Sequence, residues 1–282
     1  MTGKRPGIGD WGEWSLPLDT IYAAAEEWQA QLRDVERPWL CWNISPRWCV
    51  LQQNLVKSVG WTPVVGYDPR AGAPPLVADA ILIDFNKHFQ FEEMRDIFVI
   101  EWVFLFAKRL AFWHSDLLCR LPLMQRLAQV FDSLRDSEMA AVKENRGLRY
   151  TFFPRSKRYW ELAACTTRAA SRSQFERGAG WWRNFALHPN CRDPIERKRR
   201  ERYWYENGTG IMYWKRHYGG LVKAIDDAEV KEGHCTAIGN KNYVSLSAVR
   251  TTSNKILELD LNYDIAAVAD RLGIAHLLPP AV

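Results

Sequence analysis

LAFWHSDLL, residues 110–118, decides how the chain is read. An apolar, strand-like run ends in His114, Ser115 and Asp116, then returns at once to Leu117 and Leu118. An imidazole and a carboxylate at the mouth of a buried strand are costly unless they pair or bind a cation, so the segment marks a candidate site. The surrounding sequence repeats the pattern. WLCWNIS (39–45) reads as a buried strand ending at Pro46, TPVVGYDP (62–69) and AILIDFN (80–86) as two more, and LAFWHSD as the fourth. Helical patterns over 18–34, 49–59, 91–108 and 122–144 separate and follow them. Such alternation predicts an α/β fold with a mostly parallel central sheet flanked by helices, whose ligands bind at the carboxyl ends of the strands. Asp68, Asp84 and Asp116 all fall at or near such ends.

After Gly147 the texture changes. Residues 148–220 are rich in Arg, Trp, Tyr and Gly with little periodicity, which predicts long loops, short strands and a helix or two over the open edge of the sheet. Residues 255–278 read as a strand followed by a helix, with Asp264 as its N-cap. The whole chain, 1–282, is read as one domain of two intimately packed halves, 38–147 and 148–282. With 47% hydrophobic residues it can bury a large core.

Charge and cysteine usage set bounds. The net charge of +5 is uneven, concentrated in RDPIERKRRERY (192–203), and suits an anionic partner. The 14 tryptophans often stand beside Arg or Lys, a mixture that stacks sugars, bases or cations, although for any one ring burial in the core is the plainer reading. Six cysteines show no CxxC pair or metal-ligand spacing, and the N-terminus lacks an apolar signal segment, which predicts reduced thiols in a cytoplasmic protein. IFVIEWVFLFA (97–107) is too short to span a bilayer and is interrupted by Glu101, so no membrane span is expected. The chain contains no GxxxxGK[ST], no strand-GxGxxG-helix unit, no GxSxG and no HExxH. P-loop, Rossmann and common hydrolase chemistries are therefore disfavoured.

The strand ending in His114-Ser115-Asp116, followed by Pro122-Leu123 and a long helix, resembles the metal-binding strand of GT-A-fold glycosyltransferases. In that family a DxD-type motif ends an inner strand and holds a divalent cation against the diphosphate of a nucleotide sugar. Asp116 matches the last acidic position, while His114 stands where the family has its first Asp. Gly233-His234 falls late in the chain, where many of these enzymes supply a further metal-ligating His. The resemblance covers roughly 38–240. It implies a GT-A-like fold, with residues 38–147 as the donor- and metal-binding half and 148–282 as the acceptor side. It implies Mn²⁺ or Mg²⁺ on Asp116 and His234, and a nucleotide-sugar donor, a UDP-sugar being the expected form. His114, Asp68 and Asp84 would face the donor, and Arg168 and Arg172, four residues apart, would clamp its phosphates. Trp181, Trp182 and Arg199 would meet the acceptor. Glu206 or Asp193 would deprotonate it if the reaction inverts, whereas retention needs no such base.

Plainer readings stand beside these. Asp116 also reads as a helix N-cap or structural hydrogen-bonder, and His234 and Glu206 as turn residues. Arg168 and Arg172 also read as a solvated helix face. A different class stays open too. The basic segment 192–203 with Tyr203, Trp204 and Tyr205 after it has the grain of a nucleic-acid contact, so the chain reads either as a DNA-binding module or as a transferase whose acceptor is a modified DNA base, flipped out to be reached.

Overall fold

A computed structural model of the chain describes residues 18–43, 46–67, 73–84, 87–88, 96–144, 158–182, 184–203, 207–234 and 265–279. Seven strands form one mixed sheet in the order β3-β2-β1-β4-β6-β5-β7. They are β1 (Pro38–Trp42), β2 (Thr62–Tyr67), β3 (Ile81–Asp84), β4 (Arg109–Trp113), β5 (Glu138–Lys143), β6 (Tyr159–Thr167) and β7 (Leu221–Asp226). Only β6 runs against the others, pairing antiparallel with both β4 and β5. The fold is therefore α/β, with a mostly parallel sheet between helices, as the alternation predicts.

The strands alternate at period two between two apolar cores, as strands buried on both faces must. Leu40, Trp42, Leu110 and Phe112 enter one core, and Trp39, Cys41, Ala111 and Trp113 enter the other. The first core is closed by α1 (Leu18–Leu32), α3 (Asp96–Glu101), α4 (Val103–Phe106), α6 (Arg168–Arg177) and α8 (Thr209–Tyr218). The second is closed by α2 (Pro46–Ser58), α5 (Leu121–Asp132), α9 (Asp227–Val230) and α10 (Ile265–Arg271). A short α7 (Pro194–Arg200) lies between α6 and α8 in the chain. Trp39 anchors the second core, its ring centroid 5.1–5.4 Å from those of Phe131, Trp113 and Trp61.

Three expectations are corrected. The helix predicted over 122–144 ends at Asp132, and 138–143 is β5. EMAAVK carries helix-favouring residues, but it lies between β6 and β7 and exchanges hydrogen bonds with both, and that pairing overrides local propensity. The helix over 91–108 is interrupted at Trp102 into α3 and α4, both packed into the first core. Residues 148–220 do more than lie over the edge of the sheet, because Tyr159–Thr167 is a nine-residue strand inserted between β4 and β5. No described helix is long and apolar enough to cross a membrane. The five described cysteines are buried and free of disulfides. The strand expected near 255 and the cap at Asp264 lie outside the described residues, while α10 follows them as expected.

The strand order contains a switch point. The chain leaves β1 through α2 toward β2 on one side, and returns from β3 through α3 and α4 to β4 on the other side of β1. Between β1 and β4 the direction of winding reverses, which is where open α/β sheets receive ligands, outside the carboxyl ends of the strands.

Candidate metal centre

His114 continues β4 by one ladder bond, its N–H donating to Leu162 O at 3.0 Å. The backbone then turns tightly, Leu117 N donating to His114 O at 3.1 Å, with Ser115 and Asp116 at the tip. Gln52 on α2 holds the turn from below: its fully buried Nε2 donates to His114 O at 2.9 Å and to Leu117 O at 2.8 Å. The far end of the chain then docks onto the turn. Leu117 bridges antiparallel to His234, and Leu118 N donates to Gly233 O at 3.1 Å. Gly233 is required for this approach, since a methyl group on it would overlap the Leu118 carbonyl oxygen. That contact delivers His234 to a residue 120 positions earlier.

The result is a compact donor set. Asp116 Oδ1 lies 2.7 Å from His114 Nδ1 and 3.3 Å from His234 Nε2, and the two ring nitrogens are 3.3 Å apart. Ligand atoms sharing one first-row ion at right angles, each at about 2.1–2.2 Å, lie about 3 Å from one another. The three separations fit one face of such a sphere, leaving positions for a substrate's oxygens. Asp116 Oδ2 is buried and has no hydrogen-bond partner among the described residues. Asp116 does not cap the following helix, whose N-cap is Arg120, but bonds the two histidines; His234 ends the short turn Lys231–Gly233 and also faces Asp116.

The electrostatics favour positive charge at this point, which without an ion is a proton on His114 that a metal would have to displace. Burial opposes ionisation of Asp116, but the charge and hydrogen bond of His114, with His234 adding to them, hold its carboxyl well below the usual carboxylate range. Burial likewise opposes protonation of His114, yet Asp116 and then Glu161 raise it to about 10. Glu161, at the start of β6, is a member of this site that sequence reading missed. Its carboxylate lies 3.8 Å from His114 Nε2. Burial would push it up, but His114 and the charge of Arg158 hold it down to about 2. Trp160 stands edge-on to the His234 ring, centroids 5.7 Å apart, with Arg158 and Lys231 5.2 and 5.3 Å from its own centroid. A lone Glu in YWELAACTT carries no motif, and only the antiparallel insertion of β6 beside β4 brings it to the site.

The other expected site residues fare differently. Asp84 ends β3 on the correct side of the sheet, but three strand spacings, roughly 14 Å, separate β3 from β4. Asp68 and Glu206 lie outside the described residues. Arg168 begins α6 as expected, but at the wrong end of the sheet: its N–H donates to Lys108 O and its Nε to Ala107 O, before β4 begins. A phosphate on Asp116 is out of its reach across the length of β4, roughly 16 Å. Arg172, one turn on, lies over the Phe104 ring of α4. Trp181 and Trp182 are 0% and 3% exposed and belong to the first core, so they offer no face to an acceptor. Asp193 caps α7, accepting from Ile195 N at 2.9 Å, which accounts for it without catalysis. Arg199 pairs with Glu196 on the exposed side of the same helix.

The basic run 192–203 is partly consumed by structure. Arg200 is buried and donates to the carbonyls of Gly178, Phe185 and Arg177, and Arg197 reaches Cys191 O. Arg192, Arg197, Lys198, Arg199 and Arg202 are exposed. No protein-family model matches the chain, and no curated protein matches it in sequence.

Proposed function

We propose that the protein is a metal-dependent glycosyltransferase of the GT-A type, taking a nucleotide-sugar donor at the carboxyl ends of β1 and β4. One observation carries the reading. His114, Asp116 and His234 converge at the carboxyl end of an inner strand, beside the reversal of strand order, where a DxD-type motif would act. Asp116, His234 and His114 would hold the ion. Two imidazoles in the set favour Mn²⁺ over Mg²⁺, which prefers an all-oxygen sphere. When bound, the ion offsets the negative charge that gathers on a departing diphosphate. The chain's own contribution is preorganisation. Gln52 fixes the turn carrying Asp116, and the Gly233–Leu118 contact fixes His234, so little rearrangement opposes binding. Arg158 and Lys231 lie over Trp160 at the same end of the sheet, each paired with a carboxylate, Glu144 and Asp227. The enzyme reading is preferred to a DNA-binding module because Arg200 is buried on backbone carbonyls, and the exposed Arg199 and Arg197 are already bonded to Glu196 and to Cys191 O.

The test is thermal denaturation with nucleoside diphosphates, with and without Mn²⁺, on the wild type and on Asp116→Ala. A ligand at 100 times its Kd stabilises the folded state by about 2.7 kcal/mol. The expected result is a Mn²⁺-dependent rise in Tm with one nucleoside diphosphate, lost in Asp116→Ala. No rise with any of them would sink the transferase reading and turn attention to salt-dependent DNA binding.

A further inference from the structure

We infer that Glu161 is the outer carboxylate of the His114, Asp116 and His234 centre: it takes the Nε2–H of His114 and so turns Nδ1 toward the ion. The inference rests on the reading that these three residues bind a cation. Metal-ligating histidines almost always give their second ring N–H to a carboxylate, a carbonyl or water, which sets the tautomer and the ring orientation. The two nitrogens of His114 face different partners, and Nε2 is at ion-pair distance from Glu161, which a small ring rotation would close to a hydrogen bond. Nδ1 faces Asp116 Oδ1 and His234 Nε2, at 2.7 and 3.3 Å, while Nε2 faces Glu161 Oε1 at 3.8 Å. The imidazole thus stands between Glu161 and the point where the other donor atoms meet, and Glu161 is a positioning residue rather than a ligand.

The backbone places Glu161 there deliberately. Against β5, strand β6 pairs Ala164 with Ala141 but Trp160 with Val142, so Glu161, Leu162 and Ala163 have no matching step on β5. An irregularity of this kind bends a strand and re-aims its side chains, and such features concentrate beside functional sites. On its other edge β6 keeps register with β4, Ala163 opposite Trp113, and this carries Glu161 past the end of β4 to His114. The carboxylate is then anchored. Asn207 Nδ2 donates to Oε1 at 3.3 Å, and the Asn207-Gly208 turn is bolted to β6, Gly208 O accepting from Tyr159 N at 3.3 Å. Gly208, with φ 74°, is the only residue type that fits, because a methyl there would overlap the Tyr159 carbonyl. Glu161 Oε2 is buried with no hydrogen-bond partner among the described residues, an expensive arrangement for a carboxylate serving packing alone.

The experiment titrates Mn²⁺ by calorimetry into the full chain: wild type, Glu161→Gln, Glu161→Ala and Asp116→Ala, each checked for folding by circular dichroism. Glu161→Gln nearly preserves shape and keeps an acceptor, so it remains informative should the alanine variant fail to fold. Loss of an outer-sphere partner lowers metal affinity by about 10–100-fold. The expected order is wild type, then Glu161→Gln, then Glu161→Ala weaker by about that factor, with binding abolished in Asp116→Ala. The visible spectrum of the Co²⁺-loaded Glu161 variants should keep the wild-type shape, because the ligands are unchanged. Wild-type Mn²⁺ affinity in both Glu161 variants would overturn the inference while leaving the proposed function standing, and an altered Co²⁺ spectrum would overturn it by making Glu161 a ligand. Absence of Mn²⁺ binding by the wild type would instead remove the metal reading itself.

Discussion

Replacing Gln52 with Leu tests whether the turn that carries His114 and Asp116 is held from beneath. Gln52 is fully buried on α2, and its Nε2 donates to two carbonyls of the turn, His114 O at 2.9 Å and Leu117 O at 2.8 Å. Leucine fills nearly the same volume, so little cavity cost enters. Each neutral hydrogen bond contributes about 1 kcal/mol net, and a buried carbonyl left without its donor costs about 1–3 kcal/mol. His114 O keeps the Leu117 N–H, so the larger penalty falls on Leu117 O. Gln52 Oε1 has no hydrogen-bond partner among the described residues, and its removal returns roughly 1 kcal/mol. The net expectation is a loss of about 2 kcal/mol. Urea denaturation followed by tryptophan fluorescence should show a lower midpoint at unchanged slope. Calorimetric Mn²⁺ titration should show weaker binding, because Asp116 rides on the loosened turn. A variant with the wild-type midpoint and wild-type Mn²⁺ affinity would refute the claim that Gln52 organises the site.

Two further outcomes are expected. Without metal, Asp116 and Glu161 are depressed, so the stability they contribute is present above their unfolded values near pH 4 and is lost as pH falls toward 2. His114 is raised from 6.5 to about 10, so its contribution is complete below pH 6.5 and is lost as pH rises through 10. Urea midpoints measured from pH 4 to 10 in a chelator should therefore decline on the alkaline side, and His114→Gln should flatten that decline; parallel alkaline limbs would contradict the assignment. Gly233→Ala forces a methyl into the Leu118 carbonyl, and the chain must move His234 away to relieve it. It should lower stability by roughly 3 kcal/mol in urea denaturation and remove Mn²⁺ binding, and a variant that binds Mn²⁺ normally would show that the contact does not position His234.

Much of the architecture was readable along the chain. Apolar runs closed by Pro, Gly or Asp mark β1 to β4, because a strand buried on both faces must be apolar nearly throughout and must stop where a turn begins. The segment Glu138–Lys143 deceived the same reasoning, since Ala, Met and Glu favour helix and the strand exists through its two neighbours. The tryptophans at 181 and 182 deceived it differently: an aromatic pair beside Arg resembles a binding surface until packing against Phe112 shows Trp181 to be core.

By itself the sequence determined the α/β class, the position of β4 and the singling out of His114 and Asp116 as a candidate site. These depend on residues adjacent in the chain, where periodicity and the cost of burying charge act locally. Only the tertiary structure decided which distant groups join them. Glu161 arrives through the reversed strand β6, Gln52 through the packing of α2, and His234 through a backbone contact that only glycine permits. Against that outcome, Arg168 directly follows β6, the strand that carries Glu161, yet sits at the opposite end of the strands from Asp116. Strand direction and order, set by the burial of two apolar faces across the whole domain, determine which end of the sheet a side chain occupies, and no local pattern encodes that.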